Sequence, residues 1–586
     1  MTPIPGVQSH GVQLVGGEMT GWSDDGGRLP GGAALEDLVL RAVPAGGSAL
    51  IAGPHRAELV DRLIEHCGRV TCLLRSLPDA QDLGRRHADS ARLTVLCGGL
   101  DKLGDIGPFD AVVAAGGLGR LHTPDSAVPA WSDGVERLTR ALAPGGVLVI
   151  GAENELGVHR LVDPAPADVP GTDEQWHPPH GVDTTVPGDP AELAARVSGD
   201  GAAAVRCFAA YPDLAGPGLL VDVDELDRGR AADGVVAVLV AAALTGEVAG
   251  GQVLADPRRL ARRSLAQGLG ARLAPAWIVV VRPGGALPAA VVGDDAPGHW
   301  AVSYALTGRE DGWERAAVRD PGLRTTGRVQ REAARLAGPV PGGRLLDELL
   351  HRLCAMSDVP GLRRLLQAYA GWLAGQPATA RVFATPDNVI VDGDRFAVLD
   401  PSWELADDEP FDVALALALR RFAARLLGGG HRHPWPTTLD LDGIASTLLA
   451  MAGHPGDRVL LGTAVRLEAE IGAARRGLPA AEHARLLAEL EAGETGEPLG
   501  HREALLARRR LGEELAEARA RAEWLDAKLR AKEDELARTK ETAEHRRAQV
   551  KELKTQLRGI RASKAFKFGR MVTAPPRVAR RNLRRL

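Results

Sequence analysis

Cysteine is scarce in this chain: five among 586 residues, at positions 67, 72, 97, 207 and 354, odd in number and without a CxxC pair. That scarcity excludes a disulfide framework and a cysteine-built zinc site, and it suits a reducing cytoplasm. Long apolar runs are lacking too. The longest, Val235 to Leu244, falls well short of the roughly 18 residues that span a bilayer. The opening "MTPIPGVQSHGVQLVGG" has neither a basic n-region nor an apolar h-region, so no secretory leader and no membrane crossing are expected. Net charge is only −5, which gives no global case for nucleic acid, but the last 26 residues hold nine Lys or Arg and no acid. Charge asymmetry is therefore the informative quantity.

What is present is enough chain, at 45% hydrophobic, for several cores of about 100–200 residues each. Residues 1–31 read as an N-terminal extension. From residue 32, apolar runs at 48–52, 70–74, 93–97, 110–115 and 147–150 alternate with helical patterns at 56–67, 79–88 and 131–142. That alternation is the mark of parallel strands joined by crossover helices, and it predicts a doubly wound α/β domain over 32–220. A Pro, Gly and Asp-rich stretch at 163–190 reads as a loop over one edge.

A second, α+β domain is expected over 221–475. It has an apolar helix at 234–245, the strand "AWIVVVRP" at 276–283, further strands within 288–322, and helices at 328–337, 344–354 and 360–374. A hairpin pattern follows at 388–391 and 396–399 around "DGD", and then helices at 411–427, 439–452 and 457–475. A linker and helix at 476–503 lead into 504–560, which has no proline. There Leu515, Ala522, Leu529, Leu536, Ala543, Val550 and Leu557 recur every seven residues. The second seam of Leu511, Ala518, Leu525, Lys532, Thr539, Arg546, Leu553 and Ile560 is polar in the middle. This is a coiled-coil pattern and predicts a homo-oligomer, with a single solvated helix as the other reading.

Within 32–220, "PFDAVVAAGGLGRL" (108–121) and "LTRALAPGGVLVIGAENELG" (138–157) follow the strand and turn "SALIAGPHRAELVDRL" (48–63). In order, these segments resemble the class I S-adenosylmethionine-dependent methyltransferases, with a Rossmann-like fold. "AENELG" at 152–157 and "YPDLAGP" at 211–217 narrow the resemblance to methyltransferases of cell-surface polysaccharide assembly. It implies S-adenosylmethionine as cofactor, methyl transfer to a sugar or glycan, and cofactor contacts from Gly53, Gly98, Gly99 and Asp101. His122, after the fourth strand, is a candidate base or a solvated loop side chain. Pro144 is expected to end a helix, with Gly145 and Gly146 turning the chain into the next strand.

The chain departs from the family at the cofactor landmarks. Ile51 stands where an acid closes the first strand, and His55 and Ala57 hold glycine places. After the second strand Leu74 and Arg75 replace the carboxylate that accepts from ribose hydroxyls. Neither can accept those bonds.

"VFATPDNVIVDGDRFAVLDPSWEL" (382–405) resembles the catalytic segment of protein-kinase-like and aminoglycoside-phosphotransferase-like folds. Asn388 and Asp400 stand at the two places that hold magnesium on ATP phosphates in those folds. Phe383 replaces the catalytic Asp, so Mg-ATP binding is conceivable and kinase activity is not expected. Arg319 is the positional candidate for the upstream cation. Such segments accompany methyltransferase domains and a C-terminal coiled coil in bacterial O-antigen chain-terminating proteins, and the three-part order here resembles that arrangement.

The tail 561–586 interleaves Phe566, Phe568, Met571, Val572 and Leu583 with basic residues. Contact with an anionic membrane at the inner face of the plasma membrane is expected, with docking to a partner second and nucleic acid third. The histidine pairs in "WHPPH" (176–180) and "GGGHRHP" (428–434) lack a third ligand, so no metal site is expected there. Two functions follow. One is a glycan methyltransferase. The other is a noncatalytic scaffold or chain-length regulator that recruits glycosyltransferases or other glycan-assembly proteins.

Overall fold

The structure, a computed structural model, describes residues 8–9, 11–25, 28–104, 106–126, 130–163, 183–198, 204–227, 234–248, 253–282, 284–294, 298–309, 312–316, 322–436, 439–493 and 500–572. The chain divides into two compact units, 1–507 and 508–586.

The first unit opens with β1 (Gln8–Ser9) and β2 (Val12–Gly16), and continues through α1 (Ala33–Ala42), β3 (Ser48–Ala52), α2 (Ala57–His66), β4 (Arg69–Leu74) and α3 (Leu77–Arg86). β5 (Leu93–Gly98), β6 (Phe109–Ala114), α4 (Trp131–Arg140) and β7 (Leu142–Glu153) follow. Strands β2-β5-β4-β3-β6-β7 lie side by side in that order, all parallel. β3 pairs β4 on one side and β6 on the other, so the winding reverses at β3, the place where open α/β sheets form a crevice at the strands' carboxyl ends. The strand centres are apolar because helices cover both faces. Leu50, Val112, Leu148 and Ile150 face one core, and Ile51, Val113 and Val149 the other. Helix α4 ends at Arg140, before Pro144, and β7 already begins at Leu142, with Gly145 at φ +81°.

Residues 164–182 and the "WHPPH" histidines lie outside the described residues. After α5 (Val158–Val162) and α6 (Pro190–Ser198) come β8 (Val205–Tyr211), β9 (Leu219–Asp222), α7 (Val223–Asp227), α8 (Val235–Val248), α9 (Pro257–Ala266) and β10 (Ala276–Val281). Here the expected boundary at 220 fails. β10 inserts between β7 and β8, antiparallel to both, with all six residues buried. A Val or Ile buried this fully contributes about 1.5–3 kcal/mol, so "AWIVVV" belongs to the first sheet.

The sheet then runs on through β11 (Ala290–Asp294), β12 (Val302–Arg309), β13 (Gly312–Ala316) and later β16 (Gly338–Val340). Between them β14 (Leu323–Thr326) and β15 (Val329–Glu332) form a hairpin. A helix was expected at 328–337. Val329 and Arg331 alternate inward with period two instead, and the helical part shrinks to one 3-10 turn, Ala333–Leu336. β17 (Arg344–Leu345), α10 (Leu346–Ala355) and α11 (Val359–Ala374) lead to the hairpin β18 (Val389–Asp392) and β19 (Arg395–Val398), then β20 (Trp403–Leu405). Helices α12 (Phe411–Gly428), α13 (Leu441–Ala452) and α14 (Arg458–Arg476) pack around a separate apolar cluster that includes Tyr369, Phe422 and Leu448, and α15 (Ala480–Ala492) follows.

α16 (His501–Ala562) carries the chain from the first unit into the second, which it continues to α17 (Lys564–Val572). At about 1.5 Å per residue, the 62 residues of α16 span about 93 Å. Every residue from Leu515 to Ala562 is exposed. Among the described residues no helix is long and apolar enough to cross a membrane.

Candidate functional site

At the carboxyl end of β3, Gly53 adopts φ +88° and donates its N–H to Leu73 O at 2.9 Å. His55 follows, buried, with Nδ1 3.0 Å from Gly53 O. A carbonyl only accepts, so Nδ1 carries the proton and Nε2 is bare. That Nε2 has no hydrogen-bond partner. Burial pushes the His55 pKa down to about 4, with the Gly53 carbonyl working against the shift and Arg120 adding to it. The chain's own residues 30 and 31 lie on this turn: Arg56 N donates to Pro30 O at 2.8 Å, and Gly31 N donates to Ala215 O at 3.0 Å. A Cβ on Gly116 would fall 2.6 Å from Pro30 Cγ, so that glycine is what allows the close approach.

The end of β4 is closed more firmly. Arg75 donates from Nε and Nη2 to the two oxygens of Asp24, at 3.0 and 2.6 Å, and from Nη1 to His122 O at 3.1 Å. Both side chains are 4% exposed, and the guanidinium lies over the Trp22 ring. Residues 12–24 form an arm whose first part, β2, extends the sheet beyond β5. Its second part crosses the carboxyl ends of β5 and β4. Met19 N donates to Arg75 O (2.8 Å), Leu77 N to Met19 O (3.0 Å) and Ser76 Oγ to Trp22 O (2.7 Å). Ser23 Oγ and Asp24 N donate to the two oxygens of Asp79, at 2.6 and 2.7 Å.

Gly98 and Gly99 meet this arm directly. Gly99 N donates to Gly16 O at 3.1 Å, and a Cβ on Gly98 would fall 2.3 Å from the same oxygen. Asp101 turns to its neighbours: Oδ1 accepts from Ser126 Oγ at 2.6 Å and Oδ2 pairs with Lys102 Nζ at 3.0 Å. Partial burial raises its carboxyl pKa, but Ser126 and Lys102 outweigh that and hold it below the usual range. His122 is buried, and burial lowers its pKa, with Asp101 opposing and Arg75 reinforcing. Its Nδ1 has no partner and its carbonyl holds Arg75.

The structure thus brings Gly53, Gly98, Gly99, Asp101 and His122 to one edge, but the donor set does not fit S-adenosylmethionine. Leu74 stands at the place of the ribose acceptor, with the Arg75 cation beside it. The ligand's own sulfonium is also positive, and the arm occupies the edge from β5 to β4.

In the second region, Asn388 Nδ2 donates to Phe383 O (2.9 Å) and Asp400 O (3.0 Å), and its Oδ1 accepts from Asp400 N (2.8 Å). The Asp400 carboxylate accepts from Ser402 N and Oγ, at 2.9 and 2.5 Å, and from Trp403 Nε1 at 3.1 Å. Arg331, 2% exposed, lies between Asp400 (3.5 Å) and Asp294 (2.8 Å), so a guanidinium bridges the carboxylates. The amide and the carboxylate are spent internally, and these residues do not fit Mg-ATP. Arg319 lies outside the described residues.

Sequence reasoning missed Arg331, and it missed Asp24 as the partner of Arg75. The residues lie 69 positions apart in the first pair and 51 in the second. It also missed an ion network between α10, the 386–388 turn, α12 and α14. There Asp347 accepts from Arg425 Nη2 at 2.6 Å, Arg425 also pairs with Asp387 at 3.3 Å, and Arg421 lies between Asp387 and Glu468. Burial works against the Asp347 carboxylate, but Arg425 and His351 hold its pKa far below the ordinary value. Among the described residues no group of three or more His, Cys, Asp or Glu comes together to hold a metal.

No family model matches the chain, and no curated protein matches it. Among solved structures it is similar to the N-methyltransferase NodS from Bradyrhizobium japonicum WM9 in complex with S-adenosyl-L-homocysteine, at 17% identity, 20% of this chain, 60% of that one and a TM-score of 0.17. A putative methyltransferase from Pseudomonas syringae matches at 23% identity, 21% of this chain, 76% of that one and a TM-score of 0.17. The [4+2]-cyclase SpnF matches at 16% identity, 43% of this chain, 81% of that one and a TM-score of 0.23. The chain spans about three fifths of the length of NodS. These similarities are partial and assign neither a ligand nor a reaction.

Proposed function

We propose that the protein is a noncatalytic assembly scaffold, built on a methyltransferase-like α/β sheet whose cofactor edge is filled by its own chain. The observation that carries this reading is the buried Arg75–Asp24 pair at the end of β4. A cation paired there removes the acceptor that a ribose diol needs and leaves the arm in its place. The saturated Asp400 carboxylate supports the same reading for the second region.

The exposed seam of α16 supplies the scaffold's assembling surface, with a second copy as partner. Leu515, Leu525, Leu529, Leu536, Leu553 and Leu557 are each about half exposed or more on an otherwise charged helix. In a parallel, in-register pair, the flanking positions bring Glu514 to Arg519, Arg521 to Asp526, Lys528 to Glu533 and Glu535 to Lys540, all opposite in charge. In this reading the basic tail meets an anionic membrane surface from the cytoplasmic side and the work lies in surface-glycan assembly, supported by the sequence resemblance at 152–157 and 211–217. Methyl transfer to a glycan is the second reading, favoured by the strand order around β3.

Calorimetric titration of the full chain with S-adenosylhomocysteine, and separately with Mg-ATP, separates the two. Silence with both is expected. Micromolar binding of S-adenosylhomocysteine overturns the scaffold reading.

A further inference from the structure

The edge beneath the arm carries two guanidiniums and the buried imidazole of His122. Arg75 ends β4, and Arg120 and His122 follow β6. The two sides meet, since a Cβ on Gly53 would fall 3.4 Å from Leu121 Cδ2, placing the 53–55 turn against 120–122. Arg56 lies alongside, its guanidinium 2.9 Å from where a Cβ on Gly216 would stand. The acids of the body are committed elsewhere: Asp101 to Ser126 and Lys102, and Asp79 to Ser23 and the Asp24 N–H. Asp24, which belongs to the arm, is the carboxylate that reaches Arg75.

Arg120 Nη1 and His122 Nδ1, both on the loop after β6, are buried without a hydrogen-bond partner. His122 is itself only 7% exposed. Buried polar atoms left unpaired are few in folded proteins, and two on one short loop mark a place that a further polar group completes. The available charge selects that group. Arg75 donates to the His122 carbonyl and Arg120 lies near His55, two guanidiniums at one edge that suit two phosphates and not a neutral diol or a sulfonium.

We propose that residues 17–25 are a built-in competitor at this edge, with the Asp24 carboxylate standing in for one phosphate, and that the edge takes a diphosphate-bearing ligand when the arm withdraws. The proposal rests on the reading that this edge does not take S-adenosylmethionine.

The test titrates the full chain with inorganic pyrophosphate, uridine diphosphate and S-adenosylhomocysteine. Asp24→Asn keeps the side-chain shape and removes the charge. It is expected to bind pyrophosphate at least about tenfold more tightly than the unchanged chain, and Arg120→Ala added to it is expected to abolish the gain. Asp79→Ala, which cuts the tether at Ser23 and leaves Asp24 and the cations in place, carries the same expected direction of change if Asp24→Asn does not fold. Tighter binding of uridine diphosphate than of pyrophosphate identifies a nucleotide as the source of the diphosphate, and equal affinity identifies the diphosphate group alone. No gain in a folded variant, with S-adenosylhomocysteine also silent, overturns this proposal and leaves the scaffold reading standing. Binding of S-adenosylhomocysteine overturns both.

Discussion

Arg75 and Asp24 form a buried pair, so removing either partner alone leaves an uncompensated charge in the interior. Arg75→Leu or Asp24→Leu is expected to cost about 3–5 kcal/mol in chemical denaturation, and the double replacement is expected to recover most of that loss. Additive losses in the double variant count against the pair. His55 carries a pH signature. Its folded pKa is depressed from 6.5 to about 4, so between those values the unfolded chain binds a proton that the folded one does not. The stabilising contribution is therefore complete above about pH 6.5 and is lost as pH falls towards 4, at about 1.4 kcal/mol per unit. Denaturation midpoints at pH 7 and pH 5 are expected to converge in His55→Gln relative to the unchanged chain. Part of this was legible in the sequence, because Arg75 and Leu74 visibly lack an acceptor. That Arg75 is matched by Asp24 was not, since nothing local marks a partner 51 residues away.

The arm is the element that decides the character of the edge, and two glycines distinguish its packing from ordinary turn geometry. Gly17 has φ +72° and a Cβ there would fall 2.8 Å from Thr123 Oγ1, whereas Gly145 has φ +81° with open space around it. Gly17→Ala is expected to cost more stability than Gly145→Ala by about 1–2 kcal/mol, because only the first meets both backbone strain and a contact. Equal costs in thermal unfolding argue that the arm does not press on Thr123. The parallel strands β3 to β7 were readable because strands covered on both faces are continuously apolar. β10 was readable as a strand, but its antiparallel place between β7 and β8 depends on partners that its own residues do not encode. β15 was misread as helical because Arg331 is buried for its ion pairs, which reverses what its polarity suggests. α16 carries its own test. Leu525→Asp with Leu529→Asp is expected to lower the mass seen by analytical ultracentrifugation to that of one chain, while an unchanged mass would show that the seam does not assemble copies.

The whole molecule combines a sheet with a closed crevice, a helical region whose Asp400 carboxylate is spent on Ser402, Trp403 and Arg331, and a second unit that is one exposed helix followed by a short basic one. The account stands or falls on whether residues 12–24 are built into the edge of the sheet. Amide hydrogen exchange on the full chain tests this at Met19, Leu77 and Gly99, whose N–H groups donate to Arg75, Met19 and Gly16. The account predicts slow exchange at all three, matching the neighbouring strands. Exchange at the rate of an unstructured peptide at Met19, Leu77 and Gly99 would contradict it.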